Sequence, residues 1–142
     1  MRSQSETESV VACQQVVAEL ALLLDHEGLS QIDALFSAHP IVSLFGSEVR
    51  GIEEIRALFR SRTEGMVIRH ALSPSYVELT SPDSARAITY ATVYRGLQQP
   101  GFAGPLPLTG PVNFVEYEDQ FVRGQEGWVI AKRDIRMIFK AP

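Results

Sequence analysis

In the first quarter of the chain, apolar side chains return every three or four residues. From about Glu6 to Asp25 the positions Val10, Cys13, Val17, Leu20 and Leu24 mark one stripe, widened by Val16 and Leu23. That period predicts a helix laid on a sheet. Ser5 with Glu8, or an adjacent Ser or Thr, predicts a capping box at its start. Gly28 predicts the stop, because glycine enters the left-handed cap conformation at little cost. Ser30 then opens a short second helix carrying Ile32, Leu35 and Phe36 and ended by Pro40. IVSLF (41–45) reads as a strand, GSEVRG as a turn and return, and a third helix is predicted from about Ile52 to Arg62.

Beyond residue 66 the period shortens to two. VIRHALSPSYVEL (67–79) reads as a strand that turns one side of His70 inward, and His70 is the one histidine of three placed in a strand. With the turn TSPDS and the strand ARAITYATVYRG (85–96) it forms a long hairpin pattern. A second hairpin follows in VNFVEYEDQFVR (112–123), GQEG and WVIAKRDIRMIF (128–139). Between the hairpins, residues 97–111 hold four prolines and three glycines; this loop suits either a lid over an apolar pocket or a segment packed on a partner. Helices first and long strands afterwards predict an α+β domain with helices on one face of an antiparallel sheet. In 85–96 both faces are partly apolar: Ala87, Ala91 and Val93 suit the helices, while Ile88, Tyr90 and Tyr94 face away. A homodimer through the outer sheet face accounts for that, as would another protein partner; scattered surface apolar residues are the plainer alternative.

Composition narrows the class. A chain of 142 residues, 45% apolar and 21% charged, suits one globular domain. A net charge of −4, with no basic run longer than Lys132-Arg133, leaves no footprint for nucleic acid or an anionic membrane. The single Cys13 rules out an internal disulfide and fits a reducing compartment. No uninterrupted apolar run approaches the roughly 20 residues of a bilayer span. The expectation is a soluble, cytoplasmic single domain. His26, His39 and His70 lack the spacing of a metal site, and the chain has no phosphate loop, dinucleotide fingerprint or nucleophile elbow. The expectation is therefore chemistry without a cofactor, or binding alone.

Four segments in order resemble one family. ALLLDHEGLSQIDALF matches a first-helix end and second helix, VRGIEEIRALF a glycine-led third helix, RHALSPSYVEL a histidine-bearing strand, and YEDQFVRGQEGWVIAKRDI a last hairpin. Together, over about residues 8–139, they resemble the SnoaL-like members of the nuclear-transport-factor-2-like superfamily, and within it the scytalone dehydratase branch. The resemblance implies a cone-shaped, cystatin-like α+β barrel whose open end is a ligand pocket.

By motif position the resemblance makes Asp25 and His70 an acid–base pair. A carboxylate beside an imidazole fixes its tautomer and stabilises the imidazolium formed on proton abstraction. Such a pair suits a cofactor-independent lyase (dehydratase) or isomerase acting on a small hydrophobic or polyketide-like substrate. The pattern departs from the dehydratases twice. Leu24 stands where they carry tyrosine, and Tyr94 or Arg95 where they carry a second histidine. Tyr94 could donate to a substrate oxygen and Arg95 could hold an anionic group; Asn113 and Tyr117 join them as pocket candidates. Asp119 reads as an ion-pair partner of Arg133 or another strand cation, Trp128 as core or interface packing, and Cys13 as core. The structural alternatives are a helix-end Asp25 bonded to a loop amide and a buried His70 bonded to a carbonyl. The functional alternatives are a non-catalytic small-ligand-binding or assembly subunit, including one like the small subunit of a ring dioxygenase.

Overall fold

The computed structural model describes residues 1–142. Helix α1 (Gln4–Asp25) begins at Ser3, whose hydroxyl accepts the Glu6 amide while the Glu6 carboxylate accepts the Ser3 amide. The box thus lies two residues before the expected Ser5–Glu8 pair. The sequence spells both spacings, and the earlier one adds helix. The stop also differs. Glu27 takes the left-handed conformation at φ 61°, whereas Gly28 sits at φ −91°. Gly28 is needed for room, since a Cβ there would stand 2.6 Å from Leu23 Cδ2.

A 3-10 helix follows over Leu29–Leu35 and buries Ile32 and Leu35. Phe36 and Pro40 do not end a helix as expected; they lie in strand β1 (Phe36–Leu44). A register irregularity between Phe36 and Ile41 accommodates Pro40, which cannot donate to a ladder. His39 also lies in β1 and is exposed, so His70 is not alone among the histidines in occupying a strand. Strand β2 (Ser47–Arg50) returns along β1. Gly51, at φ 88°, leads into α2 (Ile52–Arg60). Helix α2 stops short of Arg62, which is left in the following coil.

The segment 67–79 is two strands rather than one: β3 (Met66–Leu72) and β4 (Tyr76–Ser81). Pro74 breaks the run, and both pieces pair with the single long β5 (Ser84–Leu97). Ser73 bridges the break, its amide donating to the Tyr90 carbonyl and its hydroxyl accepting the Tyr90 amide. Strands β6 (Asn113–Gly124) and β7 (Gly127–Lys140) complete one seven-stranded sheet in the order β2-β1-β7-β6-β5-β3, with β4 also on β5. The sheet is curved and mixed, because β1 runs parallel to β7 while every other pair is antiparallel. β1 and β7 come from opposite ends of the sequence, so no hairpin constrains their direction.

Alternation holds along β5. Ala85, Ala87, Thr89, Ala91 and Val93 are buried and Tyr90 and Tyr94 exposed. Helix α1 lies over the inner face nearest β3, β7 and β4, and its Cys13, Val17 and Leu20 are almost wholly enclosed. Full burial of a side chain such as Leu20 contributes about 1.5–3 kcal/mol. By length and composition α1 could cross a bilayer, but Ser9, Val10, Cys13, Val16, Val17, Leu20, Ala21 and Leu24 are buried within the domain, as in a core helix. On the outer sheet face Tyr90, Phe114 and Phe139 stack in a row with centroids 5.7 Å apart at each step. Residues 98–112 fold back along the end of β5, where Leu108 bridges to Gly96, leaving Phe102 and Leu108 exposed.

Candidate active site

The inner rows of the strands converge beneath the ends of the two helices. Pairing sets His70 of β3 opposite Val93 of β5, Ile68 opposite Arg95, and Val93 opposite Asn113 of β6. Farther along, Tyr117 faces Ile135 and Asp119 faces Arg133 of β7. Leu24 from α1 and Leu58, Phe59, Arg62 and Thr63 from α2 and its exit close the other side. The result is a cavity of about 330 Å³ in which eleven of eighteen lining residues are hydrophobic, so a ligand filling it presents mostly carbon.

Asp25 and His70 meet at this cavity. Asp25 Oδ1 lies 2.6 Å from His70 Nδ1, and Oδ2 accepts the His70 backbone amide at 3.0 Å. Both side chains are largely enclosed, at 6% and 11% exposure. A carboxylate on the last residue of a helix faces the negative end of the helix dipole and is unfavourable there. Here the His70 backbone amide and ring N–H offset that cost, while Arg69 and Arg62 satisfy the carbonyls of Asp25 and Leu24. The contact also assigns the tautomer. An ionised carboxylate only accepts, so Nδ1 carries the proton and Nε2 is left as the free acceptor, on a residue that lines the cavity. A base with its partner held in this way can lift a proton from bound carbon and return it.

The other sequence candidates divide. Arg95, Asn113 and Tyr117 line the cavity. Arg95 Nη1 donates to Asn113 Oδ1 at 2.8 Å and to the Pro111 carbonyl at 3.2 Å. Burial pushes the Tyr117 hydroxyl above its ordinary range and so holds it as a neutral donor. Tyr94 does not belong with them. It follows the outward row of β5 and is exposed, because neighbours along a strand point to opposite faces. No side chain of loop 97–111 lines the cavity; the loop meets the site at Arg95, whose guanidinium donates to the Pro111 carbonyl and whose own carbonyl accepts the Thr109 amide.

Two charged residues of the cavity wall, Arg62 and Arg133, are not among the pocket candidates of the sequence. Arg62 falls beyond the true end of α2. Arg133 is turned inward by a register shift near Ala131, where Phe121 pairs with Ile130 but Gln120 with Lys132. That bulge moves inward positions from even to odd along β7, which simple alternation cannot reveal. Arg133 makes a bidentate pair with Asp119 at 2.7 and 2.9 Å and stacks 4.1 Å over the Tyr117 ring. Of the strand cations the sequence offers Asp119, the partner is Arg133. No three His, Cys, Asp or Glu side chains converge as metal ligands.

An α+β cone with a carboxylate–imidazole contact at its apolar pocket defines a structural class. The chain belongs to the SnoaL-like domain family, whose pattern matches residues 5–134. Among solved structures it is similar to a provisionally assigned scytalone dehydratase from Novosphingobium aromaticivorans, at TM-score 0.82 and 14% identity, covering 99% of this chain and 91% of that one. It is also similar to a type 2 hexachlorocyclohexane dehydrochlorinase, LinA, at TM-score 0.80 and 15% identity, covering 97% and 90%. A third is a nuclear-transport-factor-2-like protein with a cystatin-like fold from N. aromaticivorans, at TM-score 0.71 and 20% identity, covering 93% and 83%. At such identities the likeness is one of fold. No curated protein matches the chain in sequence.

Proposed function

We propose that this protein is a cofactor-independent lyase or isomerase in which His70 moves a proton and Asp25 orients and charges against it. The observation that carries the reading is the 2.6 Å Asp25–His70 contact on the wall of an apolar cavity. In the forward step Nε2 takes a proton from carbon next to an electron-withdrawing group, and the electron pair moves into that group. The imidazolium is held against Asp25. It then gives the proton to a departing hydroxyl, completing elimination, or to another carbon, completing isomerisation. Tyr117, kept as a neutral phenol, can donate to the oxygen on which negative charge gathers. A provisionally assigned dehydratase and a dehydrochlorinase built on the same fold are consistent with elimination chemistry.

The test is a panel of small hydroxylated or halogenated aromatic and alicyclic compounds, assayed with wild type, His70→Ala and Asp25→Asn. Loss of the general base should lower turnover by about 10²–10⁴-fold. Asp25→Asn keeps the shape but removes the charge that stabilises imidazolium, so it should fall in the same range. Turnover left intact by both substitutions would remove the mechanism. Ligand binding with no turnover on any panel member would favour a binding subunit instead.

A further inference from the structure

Three arginines line the cavity, and they are not equivalent. Arg133 is neutralised by Asp119. Arg62 and Arg95 have no carboxylate partner. The Arg62 guanidinium gives one hydrogen bond, from Nη2 to the Leu24 carbonyl at 2.7 Å. Arg95 uses only Nη1, toward Asn113 and Pro111. Each therefore retains N–H groups for a ligand. Apart from His70 and Arg133, they are the ionisable basic groups on the cavity wall, and no Asp or Glu side chain lines it.

Burial holds the Arg62 guanidinium below its ordinary value; Asp25 and Glu27 act the other way, and Arg95 opposes the charge by less than either of them. Glu27 and Glu64 lie in the adjoining groove behind Arg62, outside the cavity proper. Two half-buried guanidiniums on one apolar pocket, each with N–H groups unused by the protein, suit an anion between them, and a guanidinium matches the planar fork of a carboxylate.

We propose that Arg62 and Arg95 form the recognition site for a carboxylate on an otherwise apolar substrate. The proposal rests on the cavity being the substrate pocket, as above, and adds the chemical class of what enters it. The carboxylate would sit between the helix exit and the β5 row, with the carbon skeleton along Leu58, Ile68, Val93 and Val115 toward His70.

The test compares cinnamate with its neutral isostere cinnamamide by protein NMR titration, using wild type, Arg62→Gln, Arg95→Gln and Arg95→Lys. Two charge-assisted contacts should make the carboxylate bind about 10–100-fold tighter than the amide in wild type. Each Gln variant should shrink that ratio toward one, and Arg95→Lys should restore part of it. Raising ionic strength should weaken cinnamate but not the amide. Equal binding of acid and amide, no saturable binding of either, or an unchanged ratio in both Gln variants would overturn the proposal. Phenyl phosphate binding more tightly than cinnamate would overturn the carboxylate assignment. Asp25→Asn should keep the acid-over-amide preference, so failure of the proton-transfer reading and failure of this one are separable.

Discussion

Replacing Asp119 by alanine should be among the most damaging single changes this protein can suffer. The Asp119 and Arg133 side chains are 0% and 2% exposed and joined by two parallel hydrogen bonds. Burial opposes the Arg133 charge, and the Asp119 carboxylate more than offsets it, holding the guanidinium above its ordinary value. Without the carboxylate, a cation is left in the interior with only the Tyr117 ring against it. Breaking one side of a buried pair costs about 3–5 kcal/mol, against a total stability of roughly 5–15 kcal/mol for a domain. With an unfolding entropy near 2.1 cal/mol/K per residue, or about 0.3 kcal/mol/K for this chain, Tm should fall by about 10–17 °C. Urea unfolding followed by circular dichroism supplies the free energy and reports whether the m-value is unchanged. The double change Asp119→Leu with Arg133→Met removes both charges at similar volume and should recover much of the loss. A drop below ~1 kcal/mol for Asp119→Ala would refute the reasoning, since it would mean water reaches the guanidinium.

Three further outcomes follow from the same structure. Burial pushes the Cys13 thiol up to about 12, so a thiol-specific disulfide reagent at pH 8 should leave the native protein unlabelled and react fully in denaturant; rapid native labelling would contradict the enclosed helix face. Arg136 and Arg86 hold the Glu118 carboxyl below its ordinary value of 4.5, and a lowered carboxyl stabilises the fold above its unfolded value and loses that contribution as pH falls through the folded one. The Tm gap between wild type and Glu118→Gln should therefore be largest at neutral pH, close below 4.5, and narrow in high salt; a gap that persists in acid would point to packing instead. Finally, we propose that the Tyr90–Phe114–Phe139 row is a homodimer surface, so Phe114→Glu should convert a dimer to a monomer by size-exclusion light scattering, and a wild type monomeric at all concentrations would dismiss it.

Periodicity alone made much of the fold legible. The α1 stripe, the strict alternation of β5 and the turn-bounded hairpin of β6 and β7 each concern neighbours a few residues apart, where side-chain direction follows backbone geometry. Asp25 and His70 were also within reach, because a helix end and an inward strand position are local properties and the motif order suggested their meeting. Local rules failed where two segments distant in sequence set the answer. Pro40 looked like a helix stop, yet parallel pairing with β7 draws the chain around it into a strand. Pro74 divided what read as one strand, and β5 proved long enough to hold both pieces. Tyr94 was placed in the pocket against the alternation of its own strand, and the alternation prevailed.

The sequence by itself thus determined the order of elements, which faces are apolar, and the chemical repertoire of one carboxylate, one imidazole and several arginines. Only the tertiary structure decided which arginines share the cavity and which of them is already neutralised. Arg133 enters through a bulge and Arg62 through the early end of α2, and neither event carries a periodic signal. The physical reason is that a charge acts through distance and burial, and both are fixed by pairing register and packing between remote segments.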